Sequence, residues 1–396
     1  MLVRQALPSV RAEEKDLALR PDRWPARCAL RRVEGLLASP LSAPGAEAAA
    51  RDMLSASSLT ELLRSAAAEL DVELYEPGPS AGSTPLERLI QAVSAAQPLL
   101  QRSVESLSAP ERGQALAAAR AAVMNEGVEG GFEAAEKFDL ASLLQAAYTV
   151  SRQADKAVAA LKGGEPVFVF RSTGVRVSGA GDDVYTAEDL KDVSVLVDLG
   201  GRSRYEAAPA AAGEGSIRVV IDFSTEVVVD APDGSPGSGV FGVGLLYLPN
   251  EGGTKTLRGG DAAFGAGLFG VGGTLAEGPV SVESRRFGQG AGAFGAGLLL
   301  TRGGGSRLAA RLSSQGFGST RGAGLFVHRG SGTALTCGLH YPDPRKALAF
   351  ISLCQGAGYG PRAFAAGGVG FAALAGDGNR LESGYMAQGV GYWHGL

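Results

Sequence analysis

The sequence is poor in cysteine, in charged residues and in long apolar runs, and each shortage excludes a class of protein. Only three cysteines occur in 396 residues, which excludes a full disulfide framework and favours either a reducing compartment or indifference to redox conditions. Cys337 and Cys354 could form a disulfide, but we expect both side chains to be buried as small apolar groups. Three cysteines and three histidines show no metal-ligand spacing, so we predict no metal centre and no other cofactor.

Long apolar segments are also missing. No stretch of about 18 uncharged apolar residues is present, and the N-terminus lacks the apolar core of a secretory signal. We therefore predict a cytoplasmic protein with no membrane span, with export by a signal-less route as the alternative. The formal net charge of −4 gives no general attraction to nucleic acid, so nucleic acid is not expected as a partner.

Glycine divides the chain into two parts. Only eight of the 59 glycines precede Gly163. The first part is rich in alanine, leucine, glutamate and arginine, which lose little rotamer freedom in a helix. Its apolar residues recur at helical spacing over 24–39, 57–70 and 85–107. We predict an α-helical domain over residues 1–162.

After Gly163, short aliphatic runs recur with glycines between them, which is typical of a repeat protein. One recurring block has the form G-x-G followed by an apolar residue. Its second glycines are Gly244, Gly267, Gly297, Gly324 and Gly370. The residues that follow them, predicted to stack in one inward-facing column, are Leu245, Leu268, Leu298, Leu325 and Phe371.

A unit with three short strand-like pieces is what a parallel β-helix requires, because each coil then stacks on the last at the ordinary inter-strand spacing of about 4.8 Å. Glycine supplies the positive φ that sharp corners demand. We therefore predict an α+β multidomain protein, with an α-helical domain followed by a right-handed parallel β-helix, or β-solenoid, over residues 163–396. Flexible glycine-rich disorder is the alternative, and aliphatic triplets recurring in register count against it.

Four segments carry a resemblance to a known group of proteins: GAGDDVY, GQGAGAFG, SLCQGAGYG and YMAQGVGYWHG. They resemble uncharacterised bacterial proteins built from tandem G-G-D-D-x-Y and S-Q-G-x-G repeats, over about residues 167–396. The resemblance implies a right-handed β-helix with no established substrate. The chain departs from the pattern, because the paired aspartates are present only at Asp182 and Asp183.

Two positions of the repeat carry side chains that could bind a ligand. A glutamine recurs at one of them, where stacked amides would bond to one another, with carbohydrate binding as the alternative. These residues are Gln289, Gln315, Gln355 and Gln388. The other position suggests a calcium-binding β-roll, although later copies lack the carboxylates that Ca²⁺ prefers. The candidate calcium ligands are Asp182, Asp183, Asp198 and Asp222.

The segment 337–350 interrupts the repeat and offers the only catalytic candidates in the sequence. Loops of this kind often hold functional side chains, although HYPDP also forms an ordinary proline turn. The candidates are His340, Asp343, Arg345 and Lys346. No acidic pair accompanies them, and acid–base catalysis needs partners within hydrogen-bond reach. The sequence therefore favours a protein without catalytic activity over an enzyme.

The most favoured function is a non-catalytic scaffold or interaction module. Exposed strand edges at the C-terminal end of the array would self-associate or dock a protein partner, with Tyr392 and Trp393 at the interface. A carbohydrate-binding or polysaccharide-degrading protein is the alternative, and a calcium-binding β-roll is the lesser one.

Overall fold

The computed structural model describes residues 44–78, 82–124, 126–127, 130–343, 348–362, 364–392 and 395–396. Its first part is helical, as the composition predicted. The helices are α1 (Pro44–Ser55), α2 (Leu59–Glu69), α3 (Pro85–Val104), α4 (Ala109–Val123) and α5 (Leu140–Lys162), with a 3-10 turn at Ala134–Lys137. None of the described helices has the length and apolar character needed to cross a membrane. The helix expected over 24–39 lies outside the described residues.

Local capping fixes where the helices begin. The Thr84 side chain accepts a hydrogen bond from the Glu87 backbone, and the Glu87 carboxylate reaches back to the Thr84 backbone. Pro85 occupies the first turn, where a missing N–H costs nothing. Ser108 and Glu111 form the same reciprocal cap at the start of α4.

The remainder of the chain forms three large sheets and one small one. The nine-stranded sheet contains β1 (Phe170–Ser172), β2 (Val175–Ser178), β4 (Val195–Asp198), β7 (Ile217–Asp222), β10 (Val243–Leu248), β13 (Val271–Glu277), β16 (Ala296–Arg302), β19 (Ala323–Arg329) and β23 (Val369–Ala375). The eight-stranded sheet contains β3 (Asp183–Tyr185), β5 (Arg202–Tyr205), β8 (Glu226–Ala231), β11 (Thr254–Gly259), β14 (Val280–Glu283), β17 (Arg307–Ala310), β20 (Ala334–Cys337) and β24 (Arg380–Ser383).

The seven-stranded sheet contains β6 (Ala211–Ala212), β9 (Ser238–Val240), β12 (Ala266–Leu268), β15 (Ala291–Ala293), β18 (Phe317–Gly318), β22 (Ala357–Tyr359) and β26 (Val390–Tyr392). The strands β21 (Ile351–Cys354) and β25 (Tyr385–Ala387) form the small sheet, and a short helix α6 (Ala187–Leu190) follows β3. Among the described strand pairs, β1 with β2 is antiparallel and the others are parallel.

The predicted fold class, an α+β protein with one right-handed β-helix or β-solenoid, was wrong. The strands are divided among three mostly parallel sheets of nine, eight and seven strands, preceded by helices, which defines a multi-sheet α/β arrangement instead of a single closed solenoid. The division at residues 162 and 163 into two domains stays a prediction.

The predicted single column of leucines also fails, because Leu268 lies in the seven-stranded sheet opposite Val240 and Ala293. In the nine-stranded sheet Gly273 stands between Leu245 and Leu298. Likewise Gly272 occupies the place expected for Gly267. The segment GAGLFGVGG contains the G-x-G spacing twice, ending at Gly267 and at Gly272, so the glycine spacing alone could not choose between the two alignments.

The middle strands of the nine-stranded sheet, from β4 to β19, are covered on both faces, which explains why they are mostly apolar. Leu245 and Leu298 pack in one core with the helices, so this column faces the helices. A Cβ added at Gly273 would meet the Leu59 side chain of α2 at 3.0 Å, so the glycine makes room for that helix. The intervening side chains, such as Leu299, pack against the eight-stranded sheet.

Glycines allow the nine-stranded and seven-stranded sheets to meet backbone to backbone. At Gly297 an added Cβ would lie 2.0 Å from the Ala291 carbonyl oxygen, and at Gly272 it would lie 2.1 Å from that of Ala266. No side chain fits at such distances. The aligned glycines of this column are Gly244, Gly272, Gly297, Gly324 and Gly370.

Candidate functional site

A cleft of about 380 Å³ opens on the outer face of the eight-stranded sheet. Its lining comes from four consecutive strands of that sheet, β14, β17, β20 and β24, and from the segment that follows β20. The lining residues are Glu283, Ser284, Arg307, Ala309, Ala310, Arg311, Thr336, Cys337, Gly338, Leu339, His340 and Glu382.

Strand register explains why a depression forms there. Glu283 is aligned with Ala309, Ala309 with Thr336, and Thr336 with Glu382, so the four residues form one row across the sheet. The two short side chains lie in the middle and the two long ones at the ends. Because the strands are about 4.8 Å apart, the backbones of the two glutamates are about 14 Å apart.

The carboxylates of the row are already paired. Glu283 lies 3.9 Å from the Arg258 guanidinium, and Glu382 lies 3.4 Å from that of Arg380. Neither arginine lines the cleft. Pairs this exposed contribute little to stability, but they neutralise much of the negative charge near the cleft.

The arginines of the cleft, unlike its carboxylates, have no charged partner among the described residues. Arg307 extends from β17 into solvent and Arg311 is half-buried just beyond that strand. Neither side chain has an ion pair or hydrogen bond with a residue in the part of the chain that the structure describes. Two guanidinium groups therefore remain available to an anionic ligand.

One wall of the cleft is the irregular segment after β20. Cys337 and Cys354 form a disulfide, and both are buried. The expectation that they would be unpaired apolar side chains was therefore wrong, because the fold brings the ends of β20 and β21 together. Gly338 has a φ of +100°, and an added Cβ would lie 2.2 Å from the Ser352 hydroxyl. His340 is exposed on this wall.

Of the other predicted catalytic residues, the one that the structure describes, Asp343, does not line the cleft with His340. It is 5% exposed, and its backbone N–H donates to the Ala349 carbonyl at 2.8 Å. Arg345 and Lys346 lie outside the described residues. Among the described residues, the predicted catalytic side chains therefore do not come together at one site.

The recurring glutamines form a hydrogen-bonded row. The Gln315 amide donates to Gln289 at 3.1 Å, Gln355 donates to Gln315 at 3.2 Å, and Gln388 donates to Gln355 at 3.1 Å. The first three side chains are at most 3% exposed, whereas Gln388 is exposed at the end. A saccharide cannot reach the buried members, so the row is a structural device along most of its length.

This amide row also supports the floor of the cleft. Gln289 donates to the Ala309 carbonyl at 2.7 Å, and Gln315 donates to the Thr336 carbonyl at 3.2 Å. Gln355 donates to the Glu382 carbonyl at 3.2 Å. The recurring glutamines therefore hold the strands of the cleft in place from the buried side of the sheet, through hydrogen bonds to backbone carbonyls.

The four calcium candidates form two separate groups. Asp182 and Asp183 lie near the surface, 3.5 Å from Arg202 and 3.6 Å from Arg176 respectively. Asp198 and Asp222 are fully buried and aligned on neighbouring strands. No group of three or more metal-ligating side chains was found among the described residues.

The buried aspartates are satisfied by hydroxyl groups. The Tyr185 hydroxyl donates to Asp198 at 2.6 Å, and the Tyr205 hydroxyl donates to Asp222 at 2.8 Å. Ser203 also donates to Asp198, at 2.9 Å. Burial, with the nearby charge of Asp222 as a second cause, raises the pKa of Asp198 to about 6. Burial likewise raises the pKa of Asp222.

Of the predicted interface residues, Tyr392 is half-buried and stacks on Tyr359 with ring centroids 5.5 Å apart. Trp393 lies outside the described residues. Docking of a partner at this end stays a prediction.

No known protein family, no curated protein and no solved structure matches this chain. The similarity to bacterial repeat proteins is therefore untested, and the cleft has to be interpreted from its own chemistry.

Proposed function

We propose that the protein binds an acidic saccharide in the cleft without chemically changing it. The observation that carries this proposal is the charge balance of the cleft. Its carboxylates are paired with arginines outside it, whereas Arg307 and Arg311 have no partner among the described residues.

The shape of the cleft favours an extended ligand. Ala309 and Thr336 form a low floor between longer side chains, and the row crosses four strands over about 14 Å. A guanidinium group presents paired donors that match a carboxylate, so a uronic acid unit over Arg307 would be held by two parallel hydrogen bonds. The Thr336 hydroxyl supplies a further polar group for a hydroxyl-rich ligand.

The spacing of the acidic residues favours binding over hydrolysis. Glycosidases place their two carboxyl groups roughly 5–9.5 Å apart across the scissile bond. Here the two glutamates are three strands apart and each is paired with an arginine. We therefore assign the cleft a recognition function.

Titration calorimetry with oligouronates of increasing length tests the proposal. We expect measurable binding that weakens with added salt, because exposed charge pairs are screened. The same oligosaccharides with their carboxyl groups reduced to alcohols should bind much more weakly. Arg307→Ala and Arg311→Ala should each weaken binding about tenfold, as loss of one charge-assisted contact implies.

Arg202→Ala is the matched control, since Arg202 is an exposed arginine in β5 of the same sheet, far from the cleft row. It should bind like the wild type. Absence of binding to every acidic saccharide at millimolar concentration would refute the proposal, as would binding that neither cleft substitution changes.

A further inference from the structure

The most exposed apolar segment of the described chain lies between α5 and β2. Phe168 is 87% exposed, Val169 is 64% exposed and Phe170 is 38% exposed. Three consecutive exposed apolar residues are unusual on a soluble surface and mark an interaction site or an aggregation hazard. The segment reads Glu-Pro-Val-Phe-Val-Phe-Arg over Glu165–Arg171.

The segment runs into the edge of the nine-stranded sheet. β1 is the terminal strand and pairs with β2 on one side, with Phe170 opposite Val177. No strand of the described chain pairs with its other side. An exposed edge of this kind offers unpaired backbone donors and acceptors to an added strand.

The charges flanking the segment are symmetric about Phe168. Glu165 lies three residues before it and Arg171 three residues after it. Both side chains are exposed, and neither forms an ion pair with any residue in the described ranges. In an antiparallel pair of two such segments centred on Phe168, each glutamate would stand directly opposite an arginine.

We propose that residues 165–171 are a self-association site, at which a second copy of this chain adds its own segment antiparallel to the first. Phe168 packs against Phe168 of the partner subunit on the two-fold axis. Glu165 faces Arg171 of the partner subunit, and the reverse pair completes the interface. The same patch is used by both subunits, as a closed two-fold dimer requires.

The charge pattern is what selects a second copy as the occupant. An unrelated strand could cover the apolar residues but would need an arginine and a glutamate at matching positions. The segment carries both itself, in the order that antiparallel pairing demands. Pro166 lacks a backbone N–H, which limits further strand addition and counts against open-ended stacking.

Charge reversal tests the site directly, with sedimentation velocity on the full chain over a range of concentrations. The wild type should show a reversible monomer–dimer equilibrium. Glu165→Arg and Arg171→Glu should each weaken dimerisation about tenfold, since two opposite-charge cross-strand pairs become like-charge pairs. Phe168→Asp should abolish the dimer.

Mixing the two charge variants separates this interface from any other. In a mixed dimer of Glu165→Arg with Arg171→Glu, both cross-strand pairs are again of opposite charge, so the mixture should dimerise like the wild type. The double variant should also regain dimerisation. Arg202→Glu, an exposed charge reversal elsewhere, should have no effect.

A cysteine at the centre gives a second readout. Directly opposite residues in an antiparallel pair have Cα atoms about 4.5–5.5 Å apart, which permits a disulfide. Phe168→Cys should therefore form a covalent dimer under mild oxidation, and the wild type should not. A wild type that stays monomeric at all concentrations would overturn the proposal. A dimer that ignores both the charge reversals and Phe168→Asp would also overturn it.

Discussion

Two buried polar arrays occupy different parts of the sheets and solve the same problem with different chemistry. The amide row from Gln289 to Gln388 is neutral, and each buried amide is satisfied by its neighbour and by backbone carbonyls. The pair formed by Asp198 and Asp222 is ionisable and depends on tyrosine and serine hydroxyls. The amide can repeat because it is both donor and acceptor, whereas two stacked carboxylates repel each other.

The amide row should contribute the same free energy of unfolding at every pH, whereas the contribution of the Asp198 and Asp222 pair should change with pH. The amide row extends over four repeats because adding a member adds a bond. The carboxylate pair stops at two strands, because a third buried carboxylate would raise the cost of ionising all of them.

The largest expected effect is the loss of a buried amide. Gln315→Ala should lower the free energy of unfolding by about 3 kcal/mol, because amides and carbonyls on both sides lose their partner. Chemical denaturation measures this value. Gln388→Ala, at the exposed end of the row, should cost no more than about 0.5 kcal/mol. Equal costs at the two positions would contradict the importance of the buried row.

A smaller, pH-dependent effect is expected at Asp198. Burial raises the pKa of Asp198 from its ordinary value of 3.8 to about 6 in the folded protein, so the folded state binds this proton more tightly than the unfolded state. This contribution to the free energy of unfolding is therefore lost as the pH rises from about 4 to 6, by about 2–3 kcal/mol.

Asp198→Asn should remove that loss. The difference in unfolding free energy between variant and wild type should shift in favour of the variant between pH 4 and pH 7. Asp182→Asn, at an exposed carboxylate, should leave the wild-type profile unchanged. A variant profile parallel to that of the wild type would show that Asp198 does not titrate as described.

The smallest expected effect has the opposite sign. His328 is buried between the hydroxyls of Thr301 and Thr333, at 2.9 and 2.8 Å, and burial lowers its pKa. Because the folded state favours the neutral ring, its stabilising contribution is lost as the pH falls below the ordinary histidine value near 6.5. His328→Gln should therefore reduce acid sensitivity in denaturation experiments at pH 5–7. His340→Gln, on the exposed wall of the cleft, is the control, and equal effects would contradict the assignment.

The sequence allowed some of these features to be predicted because they repeat. The glutamine positions and most of the glycine column were predicted because each lies in a short sequence block that recurs, although the blocks are unevenly spaced. Leu268 was misplaced because the G-x-G spacing occurs twice within ten residues, and only pairing in the sheet decides which copy belongs where. The sheet arrangement was misjudged because spacing reveals where strands lie but not how they group.

The cleft could not be found from the sequence. Its charged residues Glu283, Arg307 and Glu382 are spread over 100 positions without a shared motif, and strand register alone brings them together. His340 was the one weak signal, since it lies in the segment that breaks the repeat. The disulfide was missed for a similar reason, because it depends on where two strands end.

The glycine column between the nine-stranded and seven-stranded sheets limits how such a chain can vary in length. Each of these glycines is fitted against a carbonyl oxygen of the strand beside it, as at Gly297 and Ala291. Adding or removing one residue inside a strand would put a side chain into that space and displace every later contact. Duplicating or deleting the whole stretch from one glycine to the next would keep all of them, so viable chains should differ in length by complete units.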